Sequence, residues 1–444
     1  MSPPASGAGA PGLGIDFDAL AAVVNADGEF AIAARYLNAV LEIAWDDGAQ
    51  ELCITDGRID ERGPRAGDRA RLRLRAADED WAQLLTPCPP PGMVDVAHAE
   101  RIAYHGDPVV RAAYHGAVRR IVELMREQRH GPADAALPPD VGRRGDDIVG
   151  RYVYVSVEDV QYRVYYEEAG SPDGIPLVMQ HTAGTDGRQW RHVLTDPDYA
   201  ADFRLVAYDL PFHGKSSPPA GTRWWAEEYM PTKRWLLEFL AAFCLAVGLE
   251  RPVFMGCSIG GLMAPVLAHD QPERYRAVIG VNAGTMPPDR TMPAAPREEL
   301  PLGYLTDVYF HPHVANDWKA SGVLGLMAPT SPVAAQREVA WLYGSGAPPV
   351  FRGDIVSYAT QFWLSEAQAR QIDTSAVDVY LLTGEYDPFA VNGGADLLAS
   401  WIAGARHTMI PTAGHFAPSD NPAMFKVALD PVLEEIARST KGRQ

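Results

Sequence analysis

The sequence predicts an α/β protein in which a doubly wound sheet follows a smaller α+β unit. Three observations predict it. Beyond about residue 148, apolar runs of strand length alternate with segments of helical period, as strands and covering helices do in a mostly parallel sheet. Before residue 130 the order differs, with two short helical segments, several period-two strands and a closing helix. Residues 131–147, between them, are rich in Pro, Gly, Ala and charge, the composition of a linker.

At 444 residues the chain is long for a single core, which agrees with two units. With 47% hydrophobic and 22% charged residues it has the balance of a soluble globular protein. A formal charge of −18 argues against nucleic acid or an anionic membrane surface as a partner, since both repel such a chain. Cys53, Cys88, Cys244 and Cys257 lie far apart with no metal-ligand spacing, so reduced thiols and a cytoplasmic setting are expected. Residues 1–14 are Pro/Gly/Ala-rich without the features of a secretion signal and are expected to be disordered. No apolar run reaches the length of a membrane span.

In the first unit, residues 15–130, Asp16–Val24 and Glu29–Leu37 have helical character on either side of an Asn25–Gly28 turn. Leu41, Ile43 and Trp45 alternate before the Asp46-Asp47-Gly48 turn, and Leu52 and Ile54 follow it, which predicts a hairpin. Arg71-Leu72-Arg73-Leu74-Arg75 should turn two leucines inward and three arginines outward, the latter guarding a solvated face or forming an anion strip. A helix around Trp81, Leu84 and Leu85 leads into Pro87–Gly92, which must be a loop because consecutive prolines cannot donate to a ladder. A strand at Ile102–Tyr104 and one long helix from Pro108 to about Gln128 close the unit.

This order of elements resembles the sterol-carrier-protein-2-like lipid-carrier fold. The resemblance implies an apolar tunnel between sheet and helices. The unit would then serve assembly, as a homo-oligomer contact, or hold or deliver a hydrophobic molecule.

In the second unit, residues 148–444, strands are expected at Tyr152–Val157, Tyr162–Glu168, Pro176–His181 and Arg204–Asp209. A buried helix is expected at Trp235–Val247. The stretch Pro252–Leu262 then runs from an apolar strand into Gly256-Cys257-Ser258-Ile259-Gly260 and on into a helix. Ser258 therefore sits on a strand-to-helix elbow, where a side chain on Gly256 or Gly260 would collide with its neighbours. Unpaired N–H groups of the helix face its hydroxyl.

His181-Thr182-Ala183-Gly184, Asp209–Ser216, Gly256–Gly261, Gly384-Glu385-Tyr386-Asp387 and Gly414-His415 follow one another in an order that resembles the α/β-hydrolase fold over the last two-thirds of the chain. The resemblance implies a nucleophile, acid and histidine in chain order, here Ser258, Asp387 and His415, with Glu385 the rival acid. It also implies an oxyanion hole from the amide of Ile259 and one in the loop after His181. Family members usually carry His-Gly where this chain has His181-Thr182, so Ala183 is the choice and Thr182, by amide or hydroxyl, the alternative. A serine at the elbow argues against the epoxide hydrolase and haloalkane dehalogenase branches, which place an aspartate there.

Residues of about 285–375, inserted between two strands, imply a cap over the site. Its aromatics, Trp318, Phe362 and Trp363 among them, are expected to bind an apolar substrate group. His311-Pro312-His313 lacks the companions a metal site needs, so no metal or other cofactor is expected. The expectation is a cofactor-free serine hydrolase cleaving a carboxylic ester or lactone of a hydrophobic small molecule through an acyl-enzyme. The alternatives are a carbon–carbon bond hydrolase of ring-cleavage products and a non-catalytic ligand or lipid binder.

Overall fold

A computed structural model describes residues 13–60, 70–132, 147–285 and 315–441. The chain divides into two units, Met1–Ala135 and Ala136–Gln444.

In the first unit the described residues form a five-stranded sheet of order β3-β2-β1-β4-β5. Its strands are β1 Ala39–Trp45, β2 Gly48–Thr55, β3 Arg58–Ile59, β4 Ala70–Arg75 and β5 Ala103–His105. The β1–β2 pair is the hairpin, closed where Trp45 faces Gly48, while β1 and β4 run parallel. Asp16 and Asp27 accept amide hydrogen bonds at the starts of Phe17–Ala26 and Gly28–Ala33, so each short helix begins at a capping carboxylate. Leu72 and Leu74 of β4 are buried in the apolar core with Leu20, Phe30, Leu41, Ile43 and Trp81. Arg73 lies 3.0 Å from Glu42 on the adjacent β1, and Arg71 reaches past β1 to Glu51 of β2, also at 3.0 Å, so on these two the anion-strip alternative gives way to ion pairs across the sheet. The closing helix differs from expectation. It is broken into Pro108–Ala113 and His115–His130, because Tyr114 between them adopts φ −117° and ψ 17°.

In the second unit the sheet is eight-stranded among the described residues, in the order β13-β12-β11-β10-β8-β9-β7-β6. The strands are β6 Val149–Val157, β7 Val160–Gly170, β8 Ile175–Gln180, β9 Phe203–Tyr208, β10 Val253–Cys257, β11 Ala277–Val281, β12 Asp378–Gly384 and β13 Arg406–Ile410. β6 and β7 form an antiparallel hairpin, β7 meets β9 antiparallel, and β8 to β13 pair in parallel. Both β10 and β11 are buried at every residue, as strands covered on both faces must be, which is why they appear in sequence as unbroken apolar runs. The chain leaves β8 toward β9 and returns on its other side at β10. The carboxyl ends of β8 and β10 thus flank the point where strand order reverses, the place where open α/β sheets leave a crevice.

Helix Lys233–Val247 covers the sheet with Trp235, Phe239, Leu240 and Phe243, but Leu245 is 84% exposed, so this helix is not apolar-buried on all sides. Of the inserted segment, the described part contains helices Ala315–Gly322, Val333–Ser345 and Pro348–Gln361. His311 and His313 lie outside the described residues.

Candidate active site

The elbow is built by backbone crowding. Ser258 has φ 57° and ψ −111°, a conformation that non-glycine residues rarely hold unless the surroundings impose it. A Cβ on Gly256 would strike the Gly260 backbone, one on Gly261 would strike the Val281 carbonyl, and one on Gly260 would approach the Gln180 carbonyl to 2.9 Å. Ser258 N–H donates to the Val281 carbonyl at 3.0 Å, which fixes the turn against β11.

The carboxyl ends of β10, β12 and β13 bring three side chains into line. Ser258 Oγ lies 2.8 Å from His415 Nε2, and His415 Nδ1 is hydrogen-bonded to Asp387 Oδ2. Asp387 is fully buried and its other oxygen accepts the Phe389 amide at 2.7 Å. With Nδ1–H given to Asp387, Nε2 is left to accept the Ser258 hydroxyl proton. Glu385 is exposed and accepts the Thr412 amide at 3.0 Å, so it does not reach the imidazole. Cys257 beside the serine is fully buried and its thiol is pushed well above the usual range, chiefly by burial, which makes it a poor nucleophile.

Two residues that local spacing did not single out hold the histidine loop. Asn282, just past β11, donates from Nδ2 to the His415 carbonyl at 2.7 Å and to the Gly414 carbonyl at 3.1 Å, and accepts Gly384 N–H at 2.8 Å. It ties the acid-bearing strand to the histidine-bearing loop. Asp420 is fully buried and accepts Gly414 N–H at 2.8 Å; burial pushes its carboxyl up to about 7 although the Gly414 amide and His415 oppose the shift.

On the other side of Ser258, the loop after β8 is folded around two anchors. His181 donates from Nδ1 to the Thr182 carbonyl at 2.8 Å and accepts Leu210 N–H on Nε2 at 3.1 Å. It is neutral, because burial and the neighbouring His213 push its pKa down to about 4. Thr182 N–H donates to Gln189 Oε1 at 2.8 Å, so its amide is committed elsewhere and the alternative oxyanion donor is corrected on that count. Its hydroxyl faces the Tyr343 hydroxyl at 3.4 Å. Among the described residues, neither Ala183 N–H nor Ile259 N–H has a protein acceptor, and both residues are buried.

The apolar cluster shared by Ala183 and Ile259 contains Val323, Leu324, Met327, Tyr343, Phe351 and Phe416. The aromatics expected to bind substrate are differently employed. Phe362 belongs to the main core with Leu262 and Val266, Trp318 is buried with its ring beside Gly322, and Trp363 packs edge-on against Phe389 at 5.8 Å. Composition marks these rings as apolar but not where they point. Tyr343 meets Phe351 edge-on at 5.8 Å and Phe416 at a tilt at 5.2 Å, and Phe416 meets the His415 ring at 5.1 Å.

Among the described residues no group of three or more His, Cys, Asp or Glu side chains could hold a metal ion, and no helix is long and apolar enough to cross a membrane.

Comparison with known proteins bears on the second unit. The profile of the alpha/beta hydrolase fold family matches residues 175–310. Bifunctional epoxide hydrolase 2 of Mus musculus is 33% identical over 137 residues, 31% of this chain and 23% of that protein. A 2-hydroxy-6-oxononadienedioate/2-hydroxy-6-oxononatrienedioate hydrolase of Dechloromonas aromatica is 28% identical over 169 residues, 37% of this chain and 54% of that protein. The chain thus matches only 23% to 54% of the length of these curated relatives. The crystal structure of a hydrolase from Pseudomonas aeruginosa PA01 superposes with a TM-score of 0.51 at 23% identity, over 63% of this chain and 97% of that one.

Proposed function

We propose that the second unit, whose residues 175–310 match the alpha/beta hydrolase fold family, works as a serine hydrolase that cleaves a carboxylic ester or lactone of a hydrophobic small molecule. The observation that carries this reading is the hydrogen-bonded line from Ser258 through His415 to Asp387, with two uncommitted amides beside the serine.

In this reading Ser258 Oγ attacks the acyl carbon as its proton passes to His415 Nε2, and Asp387 stabilises the imidazolium so formed. The carbonyl oxygen becomes an oxyanion between Ala183 N–H and Ile259 N–H. Collapse breaks the bond to the leaving oxygen, which takes the proton from His415; a water, deprotonated by the same nitrogen, then releases the acid and restores Ser258. No cofactor enters any step. The apolar cluster over Ala183 and Ile259 suits a hydrophobic acyl or alcohol group.

Although one relative is named an epoxide hydrolase, a serine that opened an epoxide would be left as an ether, which its own base and water could not hydrolyse. An acylated serine remains an ester and can turn over. The Dechloromonas aromatica relative favours a second reading, carbon–carbon bond hydrolysis by the same three residues. The first unit, resembling a sterol-carrier-protein-2-like fold, would contribute assembly or substrate presentation.

Assay of the purified protein on aryl and alkyl esters, lactones and vinylogous diketones tests the choice. Turnover of esters or lactones that is lost in Ser258→Ala supports the first reading. Turnover of the diketones alone supports the second, and none on any of them supports a binding protein.

A further inference from the structure

The loop that carries Ala183 is gripped by the inserted segment as well as by its own strand. Asp354, on helix Pro348–Gln361, is fully buried, and its Oδ2 accepts Gly184 N–H at 2.8 Å. The same oxygen lies 2.8 Å from His213 Nε2, and His213 Nδ1 lies 3.0 Å from the Pro211 carbonyl. Both ring nitrogens therefore face acceptors, the arrangement of an imidazolium. Burial opposes that charge, but Asp354, together with the Pro211 carbonyl and Asp209, raises the His213 pKa above its ordinary value. Around this pair, Lys319 donates to the Gly346 carbonyl at 2.9 Å, and a Cβ on Gly346 would collide with the Gly184 carbonyl.

A buried ion pair of this kind adds little net stability compared with apolar packing of the same volume. Its geometry, however, has a consequence for the peptide between the anchors. Thr182 N–H is held by Gln189 of the short helix Gly187–Trp190, and the Thr182 carbonyl, in the Ala183 peptide itself, accepts from His181 Nδ1 at 2.8 Å and Thr185 Oγ1 at 3.1 Å. Gly184 N–H is held by Asp354, so the peptide carrying Ala183 N–H is set by its own loop on one side and by the cap on the other. Gly184 itself has φ 69°, a turn that leaves its amide accessible to Asp354.

We propose that Asp354 is a positioning residue that completes the oxyanion site from the cap, aiming the Ala183 amide by holding its neighbour. The inference rests on the serine hydrolase reading for its kinetic consequence, but not for its structural one. Unseating helix Pro348–Gln361 would release Gly184 and loosen the Ala183 peptide on its cap side, leaving its N–H less well aimed at the oxyanion although the Thr182 carbonyl stays held by His181 and Thr185. Catalytic competence is thereby tied to a seated cap.

The test compares wild type with Asp354→Ala, which removes the acceptor, and Asp354→Asn, which keeps a weaker neutral acceptor. Removing an oxyanion donor costs about 10²–10³ in kcat, so loosening one should cost roughly 10- to 100-fold in Asp354→Ala and less in Asp354→Asn. KM should stay within about threefold, and affinity for a trifluoromethyl ketone, which forms a tetrahedral adduct, should fall in parallel with kcat. Hydrogen exchange at Gly184, read without substrate, should speed at least about tenfold in Asp354→Ala and less in Asp354→Asn. If Asp354→Ala does not fold, as judged by its thermal melt, the same quantities in Asp354→Asn decide.

Unchanged Gly184 exchange in the folded variants would overturn the proposal, as would a kcat loss without loss of ketone affinity. Because exchange needs no substrate, failure of the hydrolase reading and failure of this one are separately visible.

Discussion

Asn282 Nδ2 donates a 2.7 Å hydrogen bond to the backbone carbonyl of His415, across 133 residues of sequence. The same side chain accepts the Gly384 amide, so the loop bearing the imidazole and the strand leading to its carboxylate partner are set by one buried amide. Asn282 also holds φ 54°, a conformation Asn tolerates better than most residues.

Asn282→Ala should therefore remove three hydrogen bonds and place an alanine in the left-handed region. A buried polar group left without a partner costs about 1–3 kcal/mol, so a loss of at least that size is expected in urea unfolding. Turnover should fall further than the folded fraction does. Wild-type stability would show that the loops are held by other means.

Asp387, rather than Glu385, touches the imidazole. Asp387→Asn should lower kcat by about 10⁴ through the wrong His415 tautomer, while Glu385→Gln should change it by less than about tenfold. The reverse order in steady-state kinetics would move the acid to Glu385.

The elbow was legible in sequence because its constraints are local. Gly256, Ser258 and Gly260 lie within five residues, and an apolar run that can only be a buried strand precedes them. Asp387 and His415 were legible through the resemblance, because Gly384–Asp387 and Gly414-His415 stand in the order of the α/β-hydrolase motifs. The buried apolar run of β12 supports the first, whereas β13 before the histidine is Arg-His-Thr-Met-Ile and carries little apolar signal. Asn282, Asp354 and Gln189 left no such trace. Asp354 acts on Gly184 across 170 residues and Asn282 on Gly414 across 132, and spacing carries no record of contacts made by folding. The aromatics of the inserted segment misled for a related reason: Trp318 and Phe362 are apolar enough to line a pocket and equally suited to fill a core, and hydrophobicity alone does not choose. In the first unit the strand pattern of β4 was plain from its Arg-Leu alternation, whereas the break at Tyr114 was hidden inside a continuous helical period.

Asp420 supplies a pH signature. Its folded pKa of about 7 lies above the ordinary 3.8, so the native state binds the proton more tightly than the unfolded chain. The stability this contributes is full below about pH 4 and is lost as pH rises through about 7. Asp420→Asn keeps an acceptor for Gly414 and cannot ionise. Its stability relative to wild type should rise between pH 4 and 8, by at most about 4 kcal/mol for a shift of this size. A difference that does not vary with pH would remove Asp420 as the titrating group.

The first unit contributes none of the three aligned side chains. A chain beginning at Asp147 should keep its turnover of a small soluble aryl ester, with circular dichroism verifying that it is folded, while its oligomeric state or its KM for bulky substrates changes. A folded truncated chain inactive on that ester would mean that the first unit helps to build the site.

The central claim is that Ser258 forms a covalent acyl intermediate, and intact-protein and peptide mass spectrometry after rapid acid quench of an aryl ester reaction tests it most directly. The account predicts an added acyl mass on the peptide containing Ser258 in wild type, longer-lived in the presence of less water, and none in Ser258→Ala, with both proteins melting at similar temperatures. Ester turnover that continues in Ser258→Ala, or an acyl mass found on another residue, would contradict it.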